Sequence, residues 1–392
     1  MTGPSPTSAV THSAATSRPA VIVAGGGVIG LSIAWRLAQA GARVTVFDCG
    51  ESGRGASHAA AGMLAACAEA EPGETTLLAL NRASQAMWPD FAAELEAASG
   101  EPVDLRREGT LLVALGADDQ ARLNHLLQFQ RGLGLPVEWM TGAEVRRREP
   151  YLSPNVCGAL WSPEDHQVEN RKLARALRIA AVRAGVTLIE GCAVEAIDIV
   201  DGCARGVVAG GARQEADAVV LAAGAWSRTI AAPGLPRLPV RPIKGQMIAL
   251  QMDPAAPLLR HVVWAPGIYL VPRLDGRLLL GATVEEKGFD TTLTAGAQLA
   301  LLEAAWRTLP GIEELPIAES WAGFRPGSRD DAPILGAAPV DGLFYATGHH
   351  RNGILLTPIT AKAMAELITT GRTDPLIAGF GIARFTAKQA AE

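Results

Sequence analysis

The sequence predicts an α/β fold in which a parallel, helix-flanked sheet is joined to a second sheet of mixed or antiparallel strands, the two interleaved along the chain. Three observations predict it. Near the start, "RPAVIVAGGGVIGLSIAWRLAQAGARVTVFDCG" reads as strand, glycine turn, helix and strand. From Pro233 to Ser320 the texture changes to prolines and short strands, "KGQMIAL", "GIYLVPR" and "RLLLGAT". Near the end the strand "GLFYATG" runs through a polar loop into a last helix.

The elements follow in order. Val21, Ile22 and Val23 form a continuous apolar run, as in a strand buried on both faces. Leu31, Ala34, Trp35, Leu37 and Ala38 recur at helical spacing, Gly41 ends that helix, and Val44 to Phe47 is the next strand. Thr75 to Ala98 is helical, with Trp88-Pro89 either kinking one helix or separating two. Helices follow at Ala117–Arg131 and Arg171–Ala184, and a strand at Val186–Ile189. "AVEAIDIV" and "CARGVVAG" form a hairpin about Asp201-Gly202. "ADAVVLAAGAW" is a buried strand running into a glycine turn. A helix at Ala295–Leu309 interrupts the second sheet, and a loop-rich stretch follows Trp321. The last helix is Pro358–Thr369. Residues 1–17, rich in Ser, Thr, Ala and Pro, read as a disordered tail.

Bulk properties exclude several classes. The 392 residues carry a net charge of −5, which gives no electrostatic footprint for nucleic acid. No apolar run approaches the roughly 20 residues of a spanning helix. The five cysteines are odd in number and form no Cys-x-x-Cys pair, which fits a reducing, cytoplasmic setting and disfavours disulfide or zinc frameworks.

The glycine turn carries the first functional signal. Gly25-Gly26-Gly27-Val28-Ile29-Gly30 satisfies G-x-G-x-x-G in full context: after a buried strand, opening a helix, and before a second strand ending in Asp48. Gly25 permits the tight turn, Gly27 lets a pyrophosphate approach the backbone, and Gly30 lets helix and strand pack closely. The helix start offers N–H groups to phosphates, and Asp48 can accept ribose hydroxyls. This is a Rossmann-like dinucleotide-binding unit. FAD is favoured over NAD by "AVVLAAGAW", which resembles a second flavoprotein signature, and by "GASHAAAGMLA" close behind the acid. "AGGAR" lacks the spacing of a second fingerprint, so the substrate itself must reduce the flavin.

Together the segments "AAAGML" (59–64), "YLVPR" (269–273), "GAT" (281–283), "WAGFRPGSRD" (321–330) and "GHHRNGILLTP" (348–358) resemble the D-amino-acid oxidase family of flavoproteins, over Ala20 to about Phe385. Within it the chain resembles the members that oxidise glycine and supply iminoglycine for the thiazole ring of thiamine. The resemblance implies a set of FAD contacts. They are Val28 and Ile29 after the turn, Asp48 and Cys49 at the ribose, Ala56, Ser57, Ala61, Gly62 and Met63 along the pyrophosphate and flavin, and Val194 at the adenine. It adds His349, His350, Arg351, Asn352, Gly353, Ile354 and Leu355, running past the ring. It also implies that Arg325 and Tyr269 hold the substrate carboxylate, with Arg351 on the substrate side. A planar guanidinium suits that task through paired N–H bonds. Asp48 departs from the usual glutamate. His58 raises the alternative of a covalent flavin link, but no cysteine follows Cys203 and the expectation is non-covalent FAD. Gly267 and Val284 are small enough to admit substrates larger than glycine.

The implied activity is oxidation of glycine, sarcosine and small D-amino acids to the imine or oxo acid, with dioxygen reduced to hydrogen peroxide and no protein acid or base. The alternative is a D-amino-acid dehydrogenase passing electrons to a quinone. The FAD-binding domain is expected to use residues 18–100, 156–235 and 322–392, and the substrate domain 101–155 and 236–321. No metal, nucleic acid or membrane span is expected. The family implies a homo-oligomer, a tetramer.

Overall fold

A computed structural model describes residues 18–70 and 72–385; the tail expected at residues 1–17 lies outside them. Two large sheets make up the α/β fold. The first has six strands in the order Ile334–Ala337, Leu343–Thr347, Ala218–Leu221, Ala20–Ala24, Arg43–Phe47, Thr187–Ile189. Its pairs are parallel except Ile334–Ala337 against Leu343–Thr347.

A parallel sheet must be covered on both faces, and alternate residues of Ala20–Ala24 show how. Val21 and Val23 join the core of the helices Val28–Gln39, Thr75–Ser99, Asn170–Arg183 and Thr357–Thr370. Ile22 and Ala24 join a second core under the strands Val194–Val200 and Cys203–Ala209. The sheet therefore has helices on one face and a β-layer on the other. That β-layer has a third strand, Ala212–Glu215, which the sequence reading missed. "AGGAR" is its hairpin turn, with Gly210 and Gly211 both at positive φ (57° and 75°), as a two-residue primed turn requires.

The second sheet has eight strands in the order Ile317–Ser328, Val240–Gln251, Arg277–Gly281, Ile268–Pro272, Val262–Ala265, Thr110–Ala114, Gly158–Ser162, Glu138–Thr141. It is mixed: Val262–Ala265 and Thr110–Ala114 are parallel, and the other pairs antiparallel. The period-2 rule splits its residues. Ile248, Leu250, Leu270 and Leu280 pack against Leu301 and Ala305 of the helix Ala295–Thr308. Met247, Ala249, Val271 and Leu279 face the opposite way and gather around Ala61.

One local alternative is resolved and one expectation is corrected. Thr75–Ser99 is one helix of 25 residues with Pro89 inside it. Trp88, Phe91 and Trp35 pack edge to face there, and this burial holds the helix through the missing N–H. The stretch after Trp321 is strand up to Ser328, with Arg325 opposite Ile243 and Pro326 opposite Pro242.

Candidate active site

A cavity of about 1300 Å³ lies between the two sheets. One end is the glycine turn. Gly25 has φ +113°, and a Cβ there would sit 2.4 Å from the Ala222 carbonyl. The helix that follows has Gly27 as its N-cap, with no side-chain cap and no acid in its first turn. Its end is therefore open to an anion. Ser57 Oγ accepts the Val28 N–H at 3.0 Å. Asp48 accepts from Gly26 N at 2.7 Å and Gly50 N at 2.9 Å, which fixes its carboxylate beside the turn. Cys49 borders the same end, and burial together with the neighbouring Asp48 charge raises its thiol pKa. Val194, at the start of its strand, closes the far wall.

The middle of the cavity is bordered by Ala56, Ser57, Ala61, Gly62 and Met63. Gly62 has φ +68°, and a Cβ there would meet the Val168 carbonyl at 2.0 Å. The N–H groups of Ala61 and Gly62 make no hydrogen bond among the described residues. His58 does not border the cavity; Arg171 and Glu319 are its charged neighbours, and burial lowers its pKa.

At the other end, neighbouring strands of the eight-stranded sheet bring Tyr269, Met247 and Arg325 together. Tyr269 lies opposite Gly281, and Gly281 opposite Met247. Gly281 is needed there, because a Cβ would meet Met247 Sδ at 2.4 Å and the Tyr269 ring at 2.5 Å. The Tyr269 hydroxyl donates to Met247 Sδ at 3.3 Å. Burial raises its pKa, offset in part by the adjacent Arg325 guanidinium. Arg325 lies across Gly245 and donates to the Thr283 carbonyl at 3.1 Å. It has no carboxylate partner among the described residues. A Cβ at Gly245 would stand 2.5 Å from Arg325 Nη1. Gly245→Ala is therefore expected to push the guanidinium aside and lower kcat/KM about tenfold with FAD content unchanged, as steady-state kinetics and the flavin spectrum will read.

The loop at 348–355 closes the cavity between these ends. Its backbone is held from behind: Ser84 Oγ and Trp88 Nε1 both donate to the Leu355 carbonyl, at 2.6 and 2.9 Å. His349 is buried, with Nε2 3.2 Å from Thr360 Oγ1, and burial lowers its pKa to about 3. His350 has φ +46° and sits 3.5 Å from Asp331; chiefly through burial, its pKa falls to about 4. Both are uncharged at neutral pH. Arg351 meets Glu69 at 3.7 Å on the cavity wall. Asn352, Gly353, Ile354 and Leu355 complete this wall.

His349 gives a pH prediction. The unfolded chain takes a proton near pH 6.5, and the folded site holds out to about 3. Its contribution to stability is full above pH 6.5 and is lost as pH falls toward 3, by about 1.4 kcal/mol per unit. His349→Asn should flatten the fall of Tm across that window; an unchanged slope would mean that the imidazole is already protonated in the fold.

Of the residues expected at the site, all border the cavity except Gly30. Gly30 packs instead: a Cβ would lie 1.9 Å from the Gly25 carbonyl and 3.2 Å from Val23 Cγ1. Its role is to let helix and strand close under the turn. Sequence reading missed Gly245, Met247 and Glu69. The alternation of Gly245, Met247 and Ala249 in one strand was the available signal for the first two; nothing in the sequence singled out Glu69.

The family model for FAD dependent oxidoreductases (DAO) matches residues 20–367. The chain is 38% identical over 381 residues to glycine oxidase of Geobacillus kaustophilus, covering 96% of this chain and 100% of that protein. It is 38% identical over 367 residues to the bifunctional protein ThiO/ThiG of Trichormus variabilis, covering 93% of this chain. The chain spans only about half, 55%, of that bifunctional relative. The crystal structure of the Geobacillus kaustophilus glycine oxidase superposes with a TM-score of 0.87 at 38% identity, covering 94% of this chain and 99% of that one. No helix among the described residues is long and apolar enough to cross a membrane, and no group of three or more metal-ligating side chains is found among them.

Proposed function

The chain belongs to the DAO family of FAD-dependent oxidoreductases, and on that premise we propose that it oxidises glycine and other small amino acids, sarcosine and small D-amino acids included. The products are the imine or its oxo acid and hydrogen peroxide, and the reading extends to supplying iminoglycine for thiamine thiazole. The observation that carries it is Arg325: a half-buried guanidinium on the cavity wall beside the Tyr269 hydroxyl, with no carboxylate partner among the described residues. Burying a cation without its counter-charge is costly, and a substrate carboxylate supplies one.

The cavity fits FAD at each point tested: a helix start whose N-cap residue, Gly27, has no capping side chain, for the phosphates, Asp48 at its edge, and two N–H groups on the middle wall unpaired among the described residues. Bound there, FAD supplies the two-electron acceptor for the α-carbon hydride, and dioxygen serves as the final oxidant. Arg325 and Tyr269 hold the carboxylate and so fix where the α-carbon lies. Arg351, paired to Glu69, borders the substrate side of the cavity. His349 and His350 are held neutral and put no positive charge against an incoming amine. Positioning and exclusion of water then supply most of the rate enhancement. Gly267 and Val284 both border the cavity, which supports acceptance of substrates larger than glycine.

Because His58 lies off the cavity, FAD is held without a covalent bond. Acid precipitation should leave yellow FAD in the supernatant; flavin remaining with the pellet would overturn this. The proposed domain division is 18–100, 156–235 and 322–392 against 101–155 and 236–321, with the strand Ile317–Ser328 carrying the chain across one of its borders and Gly158–Ser162, of the eight-stranded sheet, lying just past another. The assembly proposed is a homotetramer in the cytoplasm. The activity is tested by peroxide production from glycine, sarcosine, D-alanine, D-proline and D-phenylalanine, side by side. Turnover of D-phenylalanine far above glycine would sink the substrate assignment. Dye reduction without peroxide would favour the dehydrogenase.

A further inference from the structure

We propose that Arg273 is a positioning residue for the flavin: it clamps the backbone behind Ala61-Gly62 so that the Gly62 N–H is presented to the ring. The inference rests on the reading that the cavity holds FAD.

Residues Ser57 to Leu64 run along the cavity from the end of a single helical turn, Ala56–Ala59, to a two-residue strand, Met63–Leu64, and most of their carbonyls are gripped from outside. Asn170 Nδ2 donates to Ser57 O and His58 O at 2.8 and 3.1 Å. Trp321 Nε1 donates to Ala59 O at 3.1 Å. Arg273 Nη2 donates to Ala61 O at 2.8 Å, and Val168 N to Gly62 O at 2.9 Å. Arg273 is the hub. It also donates to Asn170 Oδ1 at 2.8 Å, Val168 O at 2.9 Å and Gln167 Oε1 at 3.0 Å. One guanidinium from the second sheet thus holds Ala61 directly, and Ser57 and His58 through Asn170.

The consequence follows from peptide geometry. In a trans peptide the carbonyl and the next N–H point in opposite directions. Pulling the Ala61 carbonyl toward Arg273 turns the Gly62 N–H the other way, to the wall that Ala61, Gly62 and Met63 share with the cavity. That N–H has no acceptor among the described residues, although Gly62 is buried. Buried N–H groups are nearly always paired, so the missing acceptor is an atom of the ligand. The isoalloxazine ring offers nitrogens and carbonyl oxygens for this.

Arg273 is itself 5% exposed and touches no carboxylate among the described residues; the nearby Glu169 is paired to Arg277 at 3.1 Å. Burial pulls its pKa down to about 10, which leaves it charged at neutral pH. A buried cation behind the ring favours a flavin that has gained negative charge on reduction.

The test compares Arg273→Met and Arg273→Lys with wild type. The readouts are the FAD dissociation constant of the apoprotein, the two-electron midpoint potential and Tm. Arg273→Met should weaken FAD binding about tenfold or more, as loss of an oriented donor implies. Its potential should fall, by about 30 mV for each tenfold preferential loss of the reduced form. Arg273→Lys keeps the charge without the fork, so it should recover part of the potential and little of the affinity. If Arg273→Met does not fold, Arg273→Lys carries the test on FAD affinity. Wild-type FAD affinity and potential in either variant, whatever happens to Tm, would reduce Arg273 to a structural role. A wild-type protein that takes up no FAD would overturn the parent reading as well.

Discussion

Arg325→Ala is expected to lower kcat/KM for glycine by roughly a hundredfold or more, with FAD content unchanged. A charge-assisted bond to a buried carboxylate is worth roughly 1.5–3 kcal/mol, and a forked pair more. Each 1.36 kcal/mol is about tenfold in rate or affinity. Glycine offers little besides its carboxylate, so the loss should exceed that for a bulkier amino acid with further contacts. Arg325→Lys should restore little, because an ammonium cannot make the paired contact. The flavin spectrum serves as the control for folding, since Arg325 lies on the second sheet and the glycine turn on the first. Near wild-type kcat/KM in Arg325→Ala with full FAD would move the anchor elsewhere, with Arg351 the first place to look.

Gly30→Ala should cost the protein its cofactor. The added methyl would stand 1.9 Å from the Gly25 carbonyl, well inside contact distance. The turn cannot retreat, because Gly25 already lies so close to Ala222 that its own Cβ would be 2.4 Å from that carbonyl. The helix must lift from the strand, which opens the phosphate cradle. We expect FAD affinity to fall by roughly a hundredfold and stability by about 1–3 kcal/mol, the usual cost of overpacking. FAD titration of the apoprotein and thermal unfolding check both. A purified variant as yellow as wild type would show that the turn is not what grips the cofactor.

The cofactor half of the site was readable in the sequence because local rules dictate it. Strand, glycine turn, helix and acid lie within one short segment, and each glycine has a steric reason fixed by its neighbours in the chain. The substrate half depends on pairing between distant strands. Met247, Gly281 and Tyr269 form one row only once the register is set, and nothing local announces it. The stretch after Trp321, with its Pro326-Gly327, reads as loop in the sequence, yet the strand Ile317–Ser328 runs on through it. Proline is tolerated there because this strand is the edge of its sheet, with Pro326 opposite Pro242. Pro89 left one helix or two open in the sequence, and tertiary packing around Trp88 and Phe91 decides for one by overriding its local penalty. The clamp on Ala61 escaped the sequence altogether, since Arg273 had a place in "YLVPR" but no visible partner.

The central claim is that this site passes electrons from a small amino acid to bound FAD. Anaerobic titration of the purified yellow protein with glycine tests it most directly. The account predicts bleaching of the visible flavin band, with colour returning and peroxide appearing when air is admitted. A flavin that stays oxidised with glycine, sarcosine and D-alanine alike, while dithionite reduces it normally, would contradict it.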